Sequence, residues 1–346
     1  MPAPLVSVII SNKNGAPWLP KNFTSLRQQT EFENLEVIVV DNCSVDGSAD
    51  LARRALANFP RATVIENAED LGFTGGNNVG AEAAKGELLF FVNNDAWLEE
   101  DCLEQLICEL GAWGADAASP LVMDYDDNTF QCIGSSGMDF FGLPDTSCAL
   151  EQTTVRFSVT GSSFIIRAES FRRLGGFDTG HFMYAEETDL AWRIWLAGGK
   201  IIGVPSARLH HRGAAGVNQA GETKIIEART SDTKRYLSNR NGILLLLKNS
   251  QHVLLLLLIP HLILLLVEAS ASLLLIRRWS HVRKAYLSAI TDAFGMWRHV
   301  IAWRRKIVKL RRRGDFWMLR FLRFKPSRWD EVKKLLKLGP PKVDAK

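Results

Sequence analysis

Short apolar runs alternate with helically spaced segments through the first hundred residues. Leu5–Ile10 reads as a buried strand, Leu19–Gln29 as a helix, Leu35–Val40 as a β-branched strand and Ser48–Ala57 as a helix. Ala62–Glu66 is strand-like, Asn77–Ala84 helical, and Leu88–Val92 a further strand. Strands alternating with helices in short units predict parallel pairing through right-handed crossovers, an α/β doubly wound sheet. Ligands of such sheets bind beyond the carboxyl ends of the strands, so the polar residues just after each strand are the candidates for chemistry.

From Asn93 the pattern loosens. Leu98–Leu110 predicts a helix, Asp124–Thr154 is irregular, and Val155–Arg167 reads as strand, turn and strand. Residues 188–197 predict a helix with Trp192 and Trp195 on one face. Near Asn241 the composition changes to GILLLLKN, then a leucine-rich run over Val253–Ile276, then a basic tail. A boundary is expected at about residue 240, dividing 1–240 from a hydrophobic and basic helical region over 241–346.

Hydrophobic residues are 47% and charged residues 23% of the 346, which excludes a disordered chain, a collagen-like fibre and a polytopic membrane protein. The net charge of +4 conceals an asymmetry. Residues 277–346 carry 21 Lys and Arg against 5 Asp and Glu, and the remainder is net acidic. The two parts are expected to face different partners. Five cysteines without C-x-x-C spacing, in a chain with ample core, point to the cytosol and against a zinc knuckle. The start, MPAPLVSVIISNKNG, lacks a basic n-region and is not read as a signal peptide.

Five places carry candidate chemistry. Asp41 ends LEVIVV, where a carboxylate can accept from a nucleobase or ribose or merely cap a loop. Asp95 ends LLFFVNND, where a hard oxygen ligand suits Mg²⁺ or Mn²⁺ beside a diphosphate, or caps a turn. Gly72–Gly80 holds four glycines and two asparagines before a helix, so its backbone can approach a phosphate closely, although the run is neither a P-loop nor G-x-G-x-x-G. Glu186, Glu187 and Asp189 crowd a helix start, where burial raises a carboxyl towards general-base range and the helix dipole alone favours acidity. His210 and His211 follow a short strand and suit a metal or phosphate contact, or a structural role.

In order along the chain stand VSVIISNKNG, VIVVDNCSVDGSAD, N-x-x-x-LGFTGGNNVG, LLFFVNND, TGSSFIIR, GGFD, MYAEETDLAWR, HHRG and SNRNGILLLLKN. Over roughly residues 5–250 this set resembles an inverting family 2 glycosyltransferase with a GT-A fold, most similar to the bacterial rhamnosyltransferase-like branch. The resemblance implies a GT-A-type doubly wound, mainly parallel sheet. It implies a nucleotide-sugar pocket of Ser11, Asn12, Asn14, Asp41, Asn67, Gly72, Asn77, Asn78, Asn94 and Asp95. Asp95 is the last residue of a D-x-D-type motif that reads Asn-Asn-Asp here, and with His211 it would hold Mn²⁺ or Mg²⁺. Gly176, Asp178 and Glu186 fall on the acceptor side. The family pattern Glu-Asp-x-Asp reads Glu-Glu-Thr-Asp here, which leaves Glu187 and Asp189 both open as base, with Glu187 preferred.

The implied activity moves a sugar, rhamnose among the options, from a nucleotide-sugar donor to a hydroxyl of a glycan or polyprenyl-diphosphate-linked acceptor in cell-surface polysaccharide assembly. A catalytically weak GT-A scaffold, a nucleotidyltransferase and a nucleic-acid binder using the tail are the alternatives, although no nucleic acid is expected as partner. Val253–Ile276 is long enough to span a bilayer at about 1.5 Å per residue. A single span would place the basic tail opposite a cytosolic catalytic domain, against the positive-inside rule. The expectation is peripheral or monotopic association with an anionic membrane surface, on the cytoplasmic face of the inner membrane. In this reading Pro260 supplies a bend, and Trp279, Trp297, Trp303, Trp317 and Trp329 with Arg311–Arg313 meet headgroups.

Overall fold

β-Branched and aromatic runs become strands almost where their pattern ends. The computed structural model describes residues 5–145, 151–213, 229–328, 336 and 342–344. The chain divides into two units, the first made of Met1–Ser135, Ser147–Phe182 and Gly199–Gly213, the second of Ser136–Thr146, Met183–Gly198 and Ala214–Lys346.

The first unit begins β1 (Val6–Asn12), α1 (Leu19–Arg27), β2 (Leu35–Asp41), α2 (Ser48–Leu56), β3 (Ala62–Glu66), α3 (Gly72–Ala83) and β4 (Leu88–Val92). It continues through β5 (Ala96–Leu98), α4 (Cys102–Ala112), β6 (Ala117–Asp124), β7 (Phe130–Cys132), β8 (Thr154–Val155), β9 (Ser163–Arg167), α5 (Ala168–Arg173) and β10 (Ile201–His211). The strand order is β3-β2-β1-β4-β9-β6-β10-β5. β3, β2, β1 and β4 are parallel, as the alternation predicts. β9 then enters antiparallel between β4 and β6, so the sheet is mixed. β2 and β4 are buried along their whole length, which explains their unbroken apolar runs. Val8, Val39, Phe90, Leu103 and Ile165 lie in the core.

One helix starts earlier than its spacing predicts. α3 takes in the glycine-rich run, because its glycines pack the helix onto the sheet. A Cβ on Gly80 would stand 2.5 Å from Ile9 Cγ2, and one on Gly76 2.4 Å from Ser11 Oγ. Each glycine costs the helix about 1 kcal/mol relative to alanine, and close approach to β1 is what it provides.

The second unit contains α6 (Glu186–Leu196), β11 (Arg229–Ser231), α7 (Asp232–Asn249), α8 (Leu258–Ile276), α9 (Trp279–Val282), α10 (Ala289–Gly295), α11 (Trp297–Leu310), α12 (Asp315–Met318) and β12 (Lys342–Asp344). α7 runs unbroken across residue 240. With the 3₁₀ turn before it, α8 makes Leu254–Ile276 a helix of mean hydropathy 2.3, the one among the described residues long and apolar enough to cross a membrane. Pro260 stands in the first turn of α8, directly after the 3₁₀ turn Leu254–Leu257. The Asp315 carboxylate accepts from the backbone N–H groups of Gln251, His252 and Leu254 and so caps the start of this segment. Leu254, His261, Leu265 and Ala269 are buried, whereas Leu256, Ile259, Ile263, Leu266 and Val267 are exposed.

The basic tail is largely engaged within its own unit. The backbone N–H groups of Arg312 and Arg313 donate to Leu196 O, and the Arg313 guanidinium donates to Gly198 O, closing the C-terminus of α6. Arg304 donates to Leu247 O and Ser250 O, and Arg311 to Asn249 O, at the C-terminus of α7. Cations at helix C-termini satisfy orphan carbonyls and the helix dipole. Trp303 is buried, with Arg193, Lys248 and Lys306 within 5 Å of its ring centre, and Trp317 packs against Trp195. Trp303 and the Arg311 side chain are therefore internal supports, which corrects their expected part in headgroup contact, while Arg313 and Trp317 stay partly exposed. Trp279 and Trp297 are exposed, and Trp329 lies outside the described residues.

Candidate active site

The carboxyl ends of β1, β2 and β4 meet through side-chain amides. Asn12, buried at the end of β1, donates from Nδ2 to Asp41 Oδ1 at 2.7 Å and to Ser48 Oγ at 2.8 Å. Its Oδ1 accepts from Asn94 Nδ2 at 2.8 Å. Asp41 Oδ2 accepts the Ser44 N–H, so the loop after β2 folds around this carboxylate. A second chain runs beside the first. Asn42 donates to Ser11 Oγ at 3.0 Å and to Gly72 O at 3.1 Å, and its own oxygen accepts from Asn67 at 2.8 Å. Ser11, Asn12, Asp41, Asn67, Gly72 and Asn94 are thus joined in one rim. Asn14 borders it with φ 51°, holding the 44–45 loop through its N–H and its side-chain oxygen.

Asp95 follows Asn94 and is brought to His211 by strand register. β5 pairs antiparallel with the end of β10, setting Ala96 opposite His211. Asp95 Oδ1 and His211 Nε2 stand 3.3 Å apart. Gln131 faces His211 from the other side: its NH₂ lies 2.6 Å from His211 O and 3.4 Å from Asp124 Oδ2, and its carbonyl oxygen 3.4 Å from His211 Nδ1. A proton on Nδ1 shared with that oxygen would leave the Nε2 lone pair for a cation; Asn93 Nδ2 lies 3.2 Å from Nε2. A lone pair and a carboxylate oxygen at this spacing fit adjacent positions on a divalent cation, which at bond lengths near 2.1 Å lie about 3 Å apart. His210 takes a structural role, stacked on Trp97 and bonded to Asp124 O and Glu99.

Other expected ligands turn inward. Asn77 donates to Phe73 O on its own helix. Asn78 exchanges two bonds with the Phe177 backbone at 2.8 and 2.9 Å, and a Cβ on Gly176 would come within 2.8 Å of its oxygen. Asp178 is buried, accepts the Gly180 N–H and faces His181 Nδ1 at 3.5 Å. Asn78, Gly176 and Asp178 thus meet in the GGFD loop, whereas the Asn77 bond stays within its own helix.

In the second unit α6 follows Tyr184 and Ala185, both left-handed with φ 72° and 65°. Its three carboxylates have different surroundings. Asp189 is wholly buried, Oδ1 at 2.9 Å from Lys248 Nζ and 2.8 Å from Asn249 Nδ2, Oδ2 at 2.9 Å from Arg193 Nη2. Two cations and an amide therefore engage both of its oxygens. Glu186 is buried, and its Oε2 has no hydrogen-bond partner among the described residues. Burial first, and Glu187 next, push its carboxyl well above the usual range. Glu187 is half-buried and accepts from Thr188 Oγ1 at 2.9 Å; burial raises its carboxyl against the lowering effect of that hydroxyl. Of the two readings for the base, the surroundings favour Glu187.

Residues 7–175 match the model of a family described as glycosyl transferase family 2. This segment is a family 2 glycosyl transferase domain. Among relatives, the O-antigen biosynthesis protein RfbC of Myxococcus xanthus is 28% identical over 61% of this chain and 18% of its own length. An N-acetylglucosaminyl-diphospho-decaprenol L-rhamnosyltransferase of Mycobacterium tuberculosis is 27% identical over 60% of this chain and 76% of its own. The match spans only 18% to 38% of the first three relatives' lengths. The Pyrobaculum calidifontis mannosyltransferase PcManGT, solved with GDP-Man and Mn²⁺, has a TM-score of 0.53 at 19% identity, covering 89% of this chain and 85% of that one. GalNAc-T7, solved with UDP, GalNAc and Mn²⁺, has a TM-score of 0.59 at 18% identity, over 73% of this chain and 49% of that one. The fold is GT-A.

Within the family 2 domain, sequence reasoning passed over Asn42 and Gln131. Asn42 directly follows Asp41 at the end of a strand, so its position was the available signal. Gln131 sits in the irregular stretch after Asp124, and only the pairing of β7 with β6 carries it to His211.

Proposed function

We propose that the chain is an inverting glycosyltransferase using a nucleotide-sugar donor. The observation that carries this is the Asp95–His211 pair, linked through Asn94 and Asn12 to Asp41 at the neighbouring strand end. Ser11, Asn12, Asn14, Asp41 and Asn67 line the nucleoside side. Asp95 and His211 would hold Mn²⁺ or Mg²⁺, which would supply positive charge to offset that developing on the leaving diphosphate. Glu187 takes the proton of an acceptor hydroxyl; the oxygen forms a bond to the anomeric carbon as the bond to the diphosphate breaks. One in-line displacement inverts that carbon.

The acceptor class follows from the similarity to a transferase whose name specifies a decaprenyl-diphosphate-linked N-acetylglucosamine, and from the exposed apolar residues of α8. A glycan on a polyprenyl diphosphate, reached from the cytoplasmic face of an anionic membrane, suits both. Rhamnose is the donor sugar favoured by the same relative. The test is a thermal-shift panel of dTDP-rhamnose, UDP-glucose, UDP-galactose and GDP-mannose, each with Mn²⁺, Mg²⁺ or EDTA. A donor at about 100 times its Kd stabilises the fold by about 2.7 kcal/mol. A shift with one nucleotide that EDTA removes is expected; no shift with any would overturn the reading.

A further inference from the structure

We infer that Asn241 is a positioning residue that sets where the Glu187 carboxylate stands, a role resting on the assignment of Glu187 as base. Asn241 lies in SNRNGILLLLKN and is fully buried on α7. Its Nδ2 donates to Met183 O and to Tyr184 O, each at 2.8 Å. In an extended strand successive carbonyls point to opposite sides, so a single amide can hold two in a row only where the chain turns. Here it turns through left-handed Tyr184 and Ala185, neither of them glycine. The Asn241 oxygen accepts from Arg240 Nε at 3.1 Å and Nη2 at 2.9 Å, so the amide cannot rotate its donor end away without losing both sets of bonds.

Seven residues further along the same helix, Lys248 holds Asp189. Seven residues are close to two turns, so Asn241 and Lys248 share a face of α7 about 10 Å apart. The helix therefore grips the acidic segment on both sides of Glu187: at residues 183 and 184 before it, at Asp189 after it. Among the described residues the Glu187 side chain has one hydrogen bond, from its neighbour Thr188. No distant side chain among them fixes the carboxylate, and the course of the backbone through 184–188 does. Lys248 secures the far end, where the helix is already regular. Asn241 secures the end where the backbone is in its least favourable conformation, and that makes it the sensitive member.

The experiment uses the full chain as wild type, Asn241→Ala and Glu187→Gln, with dTDP-rhamnose and a polyprenyl-diphosphate-linked N-acetylglucosamine. Asn241→Ala is expected to lower kcat roughly 10- to 100-fold, as a displacement of about 1 Å does, with the donor KM within about twofold of wild type. Its backbone amides over 184–188 are expected to exchange hydrogen at least about tenfold faster, with those of the C-terminal half of α7 unchanged. Unchanged kcat beside an inactive Glu187→Gln overturns the positioning role alone. Unchanged exchange over 184–188 overturns it whatever donor is used. Wild-type turnover by Glu187→Gln overturns the base assignment and this role with it. If Asn241→Ala fails to unfold cooperatively, Asn241→Asp, of nearly equal volume but without the donor, gives the same two readings.

Discussion

Lys248 and Asp189 form an ion pair at 2.9 Å with both side chains wholly buried. Arg193 and Asn249 complete the carboxylate's shell, and the Trp303 ring lies against both cations. A carboxylate so enclosed belongs to the architecture of α6. The acidic cluster at this helix start therefore separates into one anchor, one buried acid whose Oε2 has no hydrogen-bond partner among the described residues, and one half-buried residue.

Asp189→Ala leaves Lys248 and Arg193 buried without their counterion. The expected loss is about 3–5 kcal/mol of unfolding free energy, read as a lower urea midpoint. Glu187→Gln removes no buried partner and should change stability by less than about 0.5 kcal/mol while abolishing transfer. The reverse pattern would make Asp189 the catalytic carboxylate.

Glu186 binds its proton more tightly folded than unfolded, because burial and Glu187 disfavour its charge. The folded state therefore holds an extra proton between the ordinary glutamate range and the raised value. Stability contributed by this group is intact below that window and declines as pH rises through it. Glu186→Gln should shrink the difference in urea midpoint between pH 5 and pH 8. For Glu187, also raised, the base form is lost as pH falls, so the acidic limb of the wild-type kcat profile should lie above the ordinary glutamate range, about 4.3.

The strands were legible because their apolar runs are short, β-branched and bounded by polar residues; Ala62–Glu66 and Leu88–Val92 fall where the pattern puts them. The start of α3 was not, since glycine reads locally as loop and its reason for being helical is Ile9 and Ser11 on another strand. Asp95 and His211 were legible by position after strands. Their partnership depends on the register of β5 with β10, which no local pattern encodes. The tail misled for a similar reason: an arginine that closes another helix's C-terminus has the same sequence signature as one facing a lipid.

Gln131 orients His211, so Gln131→Leu should weaken Mn²⁺ binding about 10- to 100-fold without removing either proposed ligand. Asp95→Ala should remove the metal-dependent part of nucleotide binding altogether. Titration calorimetry with Mn²⁺, alone and with nucleotide, reads both. Equal Mn²⁺ affinity in wild type and Gln131→Leu would remove Gln131 from the site.

Gly76 and Gly80 separate packing from binding. An alanine at Gly80 pushes on Ile9 Cγ2, and one at Gly76 on Ser11 Oγ and the Asn42 amide. Each should cost about 1–3 kcal/mol by overpacking, less what alanine returns to the helix. Only Gly76→Ala should also weaken nucleotide binding, because it alone displaces residues of the strand-end rim. Matched nucleotide affinities in the two variants would show that the Ser11–Asn42 contact is framework.

α8 presents Ile259, Ile263, Leu266 and Val267 outward, as the 3₁₀ turn before it does Leu256, and packs Leu265 and Ala269 inward. On α11, Val300, Trp303 and Ile307 are buried while Trp297, Arg298, Ile301, Arg305, Val308 and Lys309 are exposed, so one face interleaves aromatic, aliphatic and cationic groups. Helices with one face committed to their own unit and an apolar face outward suit shallow insertion in the plane of a bilayer, where each near-surface cation adds about 1 kcal/mol. The full chain should sediment with vesicles containing phosphatidylglycerol, more weakly with neutral vesicles, and less in high salt. Leu266→Glu with Val267→Glu should abolish sedimentation while leaving the nucleotide thermal shift intact, since neither residue is part of the strand-end site. Extraction of the wild type from membranes by alkaline carbonate is expected; resistance to it would instead mean that Leu254–Ile276 spans.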